Sequence, residues 1–394
     1  MTQVNQTVPI DTTTTPEMLD RDPQSVYRRL RRDMPIARIA SIDRIILTKA
    51  DDTYLAKTDT QHFGSSDTTT PMQRAFGGHT LMRKDGEAHQ VERAAMTETF
   101  RISAARSHWQ GVFDKIAQQS VGALPQGETV DLRSALAVPM TVAFLKQVLG
   151  IEPEPDGQLF DWANALITGA MNAGFSEDVF AVSDRANDEM NACFDRMIEQ
   201  HRADPNPSVL AVMANARDTL PRSQIRTNMK ICIGGAVVET RDALLSTLHG
   251  LLENPDQIRY CQETGHWDLA TEEGLRWVAP IQTSPRIVLR DYTLRGVTLP
   301  AGETVLVSQS SANYDEDYWH EPERFDIHRT GPANQTFGLG PHRCMGGDIY
   351  RQFISRSVLP ALFDRFPQMH PVAGKKVEFR GFGFRGPTSL PVQL

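Results

Sequence analysis

Apolar positions in this chain recur mostly at helical spacing. Asp22-Pro23 opens a run through Val26, Leu30 and Met34, with Arg28, Arg29, Arg31 and Arg32 on its polar side, which predicts an amphipathic helix. Similar periodicity predicts helices over 87–100, 103–124, 134–149 (stopped by Gly150), about 157–172 and 176–202. The longest candidate spans 223–253. Its centre, Ile231-Cys232-Ile233-Gly234-Gly235-Ala236-Val237-Val238, is apolar on every side, so it is expected to run buried through the middle of the protein. A short helix is expected over 272–279. Strand signals are fewer. Residues 36–48 read as a strand pair, and 288–307 alternate, with turns at Arg295-Gly296 and Pro300-Ala301-Gly302. The pattern predicts a mainly α fold with small sheets. Residues 17–394 would form one domain behind a flexible, threonine-rich tail at 1–16.

Composition narrows the class. A 394-residue chain with 40% hydrophobic content can bury a large core. With 41 basic against 49 acidic residues the net charge is −8, which argues against nucleic acid as a partner. Cys193, Cys232, Cys261 and Cys344 are scattered and form no CxxC. A zinc site and a disulfide framework are therefore not expected, and a reducing cytoplasm fits. The start of the chain has no apolar core of signal-peptide length. No stretch is apolar over the roughly 18 residues a membrane span needs.

The candidate chemistry lies in Phe337-Gly338-Leu339-Gly340-Pro341-His342-Arg343-Cys344-Met345-Gly346-Gly347. It reads as a glycine-rich loop that delivers Cys344 to the first turn of a helix. Amide hydrogens at a helix start favour the thiolate, which can serve as a nucleophile, a metal ligand or a haem ligand. A buried structural cysteine is the plain alternative.

The motif F-G-x-G-x-H-x-C-x-G resembles the haem loop of the cytochrome P-450 monooxygenases, with Phe337, Gly338, Gly340, His342, Cys344 and Gly346 matching. The resemblance runs from His89 to the end of the chain. It implies the long central helix over haem b, with the Cys344 thiolate on iron. It also implies His89, Arg93, Arg286 and His342 as partners of the haem propionates, and a structural cluster of Glu273, Arg276 and Arg324. Glu239-Thr240 matches the family's acid–alcohol pair, which delivers protons during dioxygen activation. The glycine usual two residues before the acid is Val237 here. Electrons would come from a separate donor, a ferredoxin or a flavin/iron–sulfur reductase, because no flavin or iron–sulfur segment is seen in this sequence.

The tail from Val377 to Leu390, with Glu273-Gly274-Leu275-Arg276-Trp277, resembles bacterial members that remove O-methyl groups. A small methoxyarene is the first expected substrate and an O-methyl sugar the second. By matching positions, Phe76, Leu81, Leu166, Ala170, Val237, Ile281, Ser284 and Phe384 would line the pocket. Hydroxylation of a terpenoid, fatty acid or secondary metabolite stays open. So does a non-catalytic haem sensor, against which Glu239-Thr240 argues.

Overall fold

The computed structural model describes residues 7–394, apart from 154, 156, 217–219 and the side chain of Ile102. Helices dominate, and one large cluster of buried side chains reaches from Met72 to Val392. Among the described residues no helix is long and apolar enough to cross a membrane.

Local signals act where the sequence places them. Asp22 caps the Pro23–Asp33 helix by accepting the N–H of Ser25, and Pro23 fills its first turn. Val138–Leu149 ends at Gly150, whose φ of 71° is the left-handed stop that glycine adopts freely. The 103–124 segment is helical through a π turn at Ala105–Trp109 into Gln110–Gly122.

The largest sheet has six strands. Their order is Ile10–Asp11, Ile36–Ile39, Arg44–Leu47, Thr304–Val307, Ser284–Val288 and Phe63–Gly64. Side chains alternate across it. Ile45, Leu47, Val305 and Val307 pack with Phe63 and Val288 on one face, while Ala37, Ile39 and Ile46 meet Tyr27 and Leu30 on the other. Arg286 is carried, buried, on the Ser284–Val288 strand.

Two expectations are corrected. The supposed tail is structured over its described part, 7–16; residues 1–6 lie outside the described residues. Ile10–Asp11 adds to the sheet edge parallel to Arg38 and Ile39. Asp11 is buried and accepts from Thr13, Thr14 and Arg29, so the threonines that looked like low complexity satisfy a buried carboxylate. The central helix is also not continuous. It runs as Arg222–Gly234 and Val237–Leu252, interrupted at Gly235-Ala236. Gly234 explains part of this, because a Cβ there would sit 2.8 Å from Cζ of Phe76. Consecutive glycines beside such a contact are a common cause of a kink.

Candidate active site

The cysteine loop is shaped by left-handed backbone that glycine adopts freely. Gly338 and Gly340 hold φ of 68° and 66°. A Cβ on Gly347 would stand 2.9 Å from the Phe337 ring, so the close approach in this loop falls on Gly347 and not on Gly346. The N–H of Cys344 donates to the carbonyl of Phe337 at 2.8 Å, which closes the turn. The thiol in turn faces the N–H groups of Gly346 and Gly347 at the start of the Gly347–Gln352 helix.

The Cys344 side chain has accessible surface, yet protein surrounds it closely enough for burial to raise its pKa, opposed by those two N–H groups. It therefore faces an internal recess rather than bulk water. Glu239 acts electrostatically on the same thiol, as does Arg93. Burial pushes the thiol of Cys232 up to about 12, with the charge of Cys344 adding to it. The interrupted helix thus overlooks the recess through Cys232, Glu239 and the accessible backbone of Gly235.

Glu239 is the unusual group here. Neither carboxyl oxygen has a hydrogen-bond partner among the described residues, although both are buried. Burial raises its pKa to about 8, so it is largely protonated at neutral pH. Arg241 does not neutralise it, because its guanidinium makes two bonds of 2.7 and 2.9 Å to Asp242 instead. Beside it, the backbone of Thr240 is held from below. Tyr350 Oη donates to the Thr240 carbonyl at 2.7 Å. Tyr350 was not singled out in the sequence. Its place six residues after Cys344, on the following helix, was the available signal.

One wall of the recess is cationic. His89 is buried and its ring lies 4.2 Å from that of His342. Burial brings His89 down to about 4, with the charges of His342 and Arg93 adding, so it is neutral at pH 7. Arg93, one turn on, donates to the carbonyl of Arg343 at 2.6 Å. His342 bonds Asp85 at 3.1 Å. Burial alone would raise Asp85, but bonds from His342 and from the N–H groups of Ser65 and Ser66 outweigh it and hold the carboxyl at about 2. Burial lowers Arg286 to about 10, and among the described residues its guanidinium donates only to the adjacent carbonyl of Pro285.

The structural cluster forms with one member changed. Arg276 makes a bidentate pair with Glu273 at 2.7 and 2.8 Å and also donates to the carbonyls of Asn313 and Pro322. The third side chain is Arg329, whose Nε lies 3.3 Å from Glu273 Oε1. Arg324 points outward, its side chain 63% exposed, and contributes only its carbonyl, which accepts from Arg276 and Arg329. The reason is local: Phe325 turns inward against Gly250, so its neighbour Arg324 faces solvent.

The eight expected pocket residues divide. Ala170, Ile281, Ser284 and Phe384 are partly accessible, and Ile281 and Phe384 pair across an isolated antiparallel bridge. Leu81 is largely buried. Phe76, Leu166 and Val237 have 2, 0 and 0% exposure and close the core instead. Val237 stands at the start of the second helical segment with its side chain turned away from the recess, which answers why a β-branched residue fits where glycine is usual.

The comparisons agree with this architecture. A family model described as cytochrome P-450 matches residues 268–355, which hold the Glu273–Arg276 pair and the cysteine loop. The steroid C26-monooxygenase of Mycobacterium tuberculosis is 26% identical over 374 residues, 91% of this chain and 89% of the relative. The monooxygenase PikC of Streptomyces venezuelae is 27% identical over 409 residues, 97% of this chain and 95% of that one. The crystal structure of CYP109E1 from Bacillus megaterium with testosterone superposes with a TM-score of 0.82 at 24% identity, covering 94% of this chain and 99% of that one.

The cysteine-loop region thus matches the cytochrome P-450 family, and the relatives and structural neighbours over nearly the whole chain are bacterial cytochromes P-450. The named relatives are monooxygenases, and the cofactor of such enzymes is haem b held by a cysteine thiolate. The residues present fit that group. A recess that exposes the Cys344 thiol, with Arg93 and Arg286 close by and an unpaired Glu239 carboxyl acting on that thiol, offers a ligand for iron and counter-charges for two carboxylates. Members of the family from bacteria act on small molecules and draw electrons from separate partners.

Proposed function

We propose that this P-450 binds haem through Cys344, with His89, Arg93, Arg286 and His342 toward the propionates, and oxidises an O-methyl group of a small, largely apolar molecule. Residues 17–394 would act together as one domain. The observation that carries the oxygenase reading is Glu239: a buried, proton-bearing carboxyl with no partner among the described residues, next to Thr240 and acting electrostatically on the thiol of Cys344. Bound haem supplies dioxygen activation and the transfer of one oxygen atom to carbon. The chain's own part is to hold substrate, exclude water and move protons. Glu239 keeps a proton at neutral pH and can pass it on. Thr240, whose hydroxyl has no partner among the described residues, can order the water that receives it. Attack at an O-methyl carbon leaves a hemiacetal that loses formaldehyde.

Ala170, Ile281 and Phe384 give the recess an apolar lining suited to an aromatic ring. The small side chain of Ala170 adds width. A second reading, hydroxylation of a steroid or other polycyclic scaffold, is favoured by the relatives named above. A panel of methoxyarenes, O-methyl sugars and steroids, scored by spin-state shift and by formaldehyde release with a surrogate reductase, separates the two. Formaldehyde from a methoxyarene supports demethylation; steroid turnover without it refutes demethylation. Cys344→His should abolish the red-shifted Soret band of the reduced carbonyl form, and retention of that band would refute the ligand assignment. The electron donor, a ferredoxin or a flavin/iron–sulfur reductase, has few free arginines to meet near the cysteine loop. Arg343 pairs with Asp348, Arg351 with Glu272 and Arg101 with Glu98, which leaves Arg106 as an exposed candidate contact.

A further inference from the structure

Lys57 lies on the Ala50–Thr58 helix with only 3% of its surface exposed. Its Nζ donates to Oε1 of Gln309 at 3.2 Å, an oxygen that also accepts from Ser284 Oγ at 3.0 Å. Among the described residues no carboxylate lies within ion-pair distance of it. Ser284 and Arg286, two apart on one strand, share a face, so the amine and the Arg286 guanidinium look onto the same place. Burial brings Lys57 down to about 7, and the charge of Arg286 adds to the effect. Asp85, the acid that acts on Arg286, already serves His342, Ser65 and Ser66. The patch adjoins the cysteine loop, because a Cβ on Gly340 would sit 2.3 Å from the carbonyl oxygen of Lys57.

A buried guanidinium and a buried amine that have no acid of their own among the described residues are costly to keep charged unless an anion from outside the chain completes them. We propose that Lys57, with Arg286, binds a carboxylate of the haem, as a cofactor anchor outside the cysteine motif. Gln309 and Ser284 orient the amine by holding it from the protein side. The inference rests on haem as the cofactor, and its test leaves the thiolate bond untouched, so the two fail separately.

Transfer of haem from the ferric holoprotein to excess apomyoglobin, followed in the Soret band, reads this anchoring. Loss of one charge-assisted bond predicts release about tenfold faster from Lys57→Met, and a rate within about twofold of wild type from Lys57→Arg. The carbonyl Soret maximum should be unchanged in both. The propionate bending band in the resonance Raman spectrum should move in Lys57→Met and stay in Lys57→Arg, an effect that mere loosening of the fold does not produce. Should Lys57→Met fail to accumulate as holoprotein, Lys57→Gln serves for the same two measurements. Wild-type release together with an unmoved propionate band overturns the proposal. It would leave Lys57 to an anionic substrate group or to Gln309 alone.

Discussion

Replacing Glu239 by glutamine tests the central electrostatic claim without needing a substrate. The folded carboxyl has a pKa of about 8 against 4.5 for the free group. Below pH 4.5 it is protonated whether the chain is folded or not, and contributes no difference. As pH rises from there to about 8, the unfolded chain gives up its proton while the folded chain keeps it. The folded state therefore loses stability across this window, and above it the loss is complete. At about 1.4 kcal/mol per tenfold change in proton affinity, the full loss is on the order of 5 kcal/mol. An entropy of unfolding near 2 cal/mol/K per residue makes that roughly 6 °C in Tm for a chain of this size. Glutamine carries no such proton. The difference in Tm between Glu239→Gln and wild type, both as haem-loaded protein at one scan rate, should be smallest at pH 5 and grow by several degrees toward pH 8. Any packing change adds a constant and leaves the slope intact. A difference that stays flat across pH 5 to 8 would mean that Glu239 is solvated or paired, and the proton-delivery argument would fall with it.

Other consequences follow from single contacts. Arg329→Met should cost about 2–4 kcal/mol by leaving the buried Glu273 under-compensated, while Arg324→Met stays within about 0.5 kcal/mol. Equal losses in denaturant titrations would restore Arg324 to the cluster. Gly250→Ala drives a Cβ to 2.2 Å from the Phe325 ring and should lower stability by about 1–3 kcal/mol, with partial recovery on adding Phe325→Leu. No recovery would place the strain elsewhere. Tyr350→Phe removes the hydroxyl that holds the Thr240 carbonyl. Peroxide released per electron pair consumed should rise about twofold or more, at the cost of about 1 kcal/mol in stability. An unchanged ratio would make Tyr350 a packing residue only.

Several features were legible in the order of residues alone. The helical periods, the caps at Asp22 and Gly150, the glycine loop around Cys344 and the Glu273-x-x-Arg276 spacing are local. Each depends on backbone angles and on neighbours three or four residues away, so the sequence contains the whole cause. Glu239-Thr240 was legible as a pair. The protonation of Glu239 was not, because desolvation depends on what packs around it from distant segments.

What the sequence could not determine follows the same line. The kink at Gly235-Ala236 needs the Phe76 ring against Gly234. The exchange of Arg329 for Arg324 needs Phe325 to turn into the groove at Gly250. The withdrawal of Val237 and Leu166 from the recess needs the packing of two helices. The ordering of residues 7–16 needs Arg29 and a sheet edge to receive them. By itself the sequence determined the resemblance to the cytochrome P-450 family, the glycine-rich cysteine motif and most helices, since these are short-range patterns. Only the tertiary structure decided which charges are buried, which of two arginines meets Glu273 and which side chains face the reaction space. Burial and long-range contact are properties of the folded surroundings of a residue, not of its neighbours along the chain.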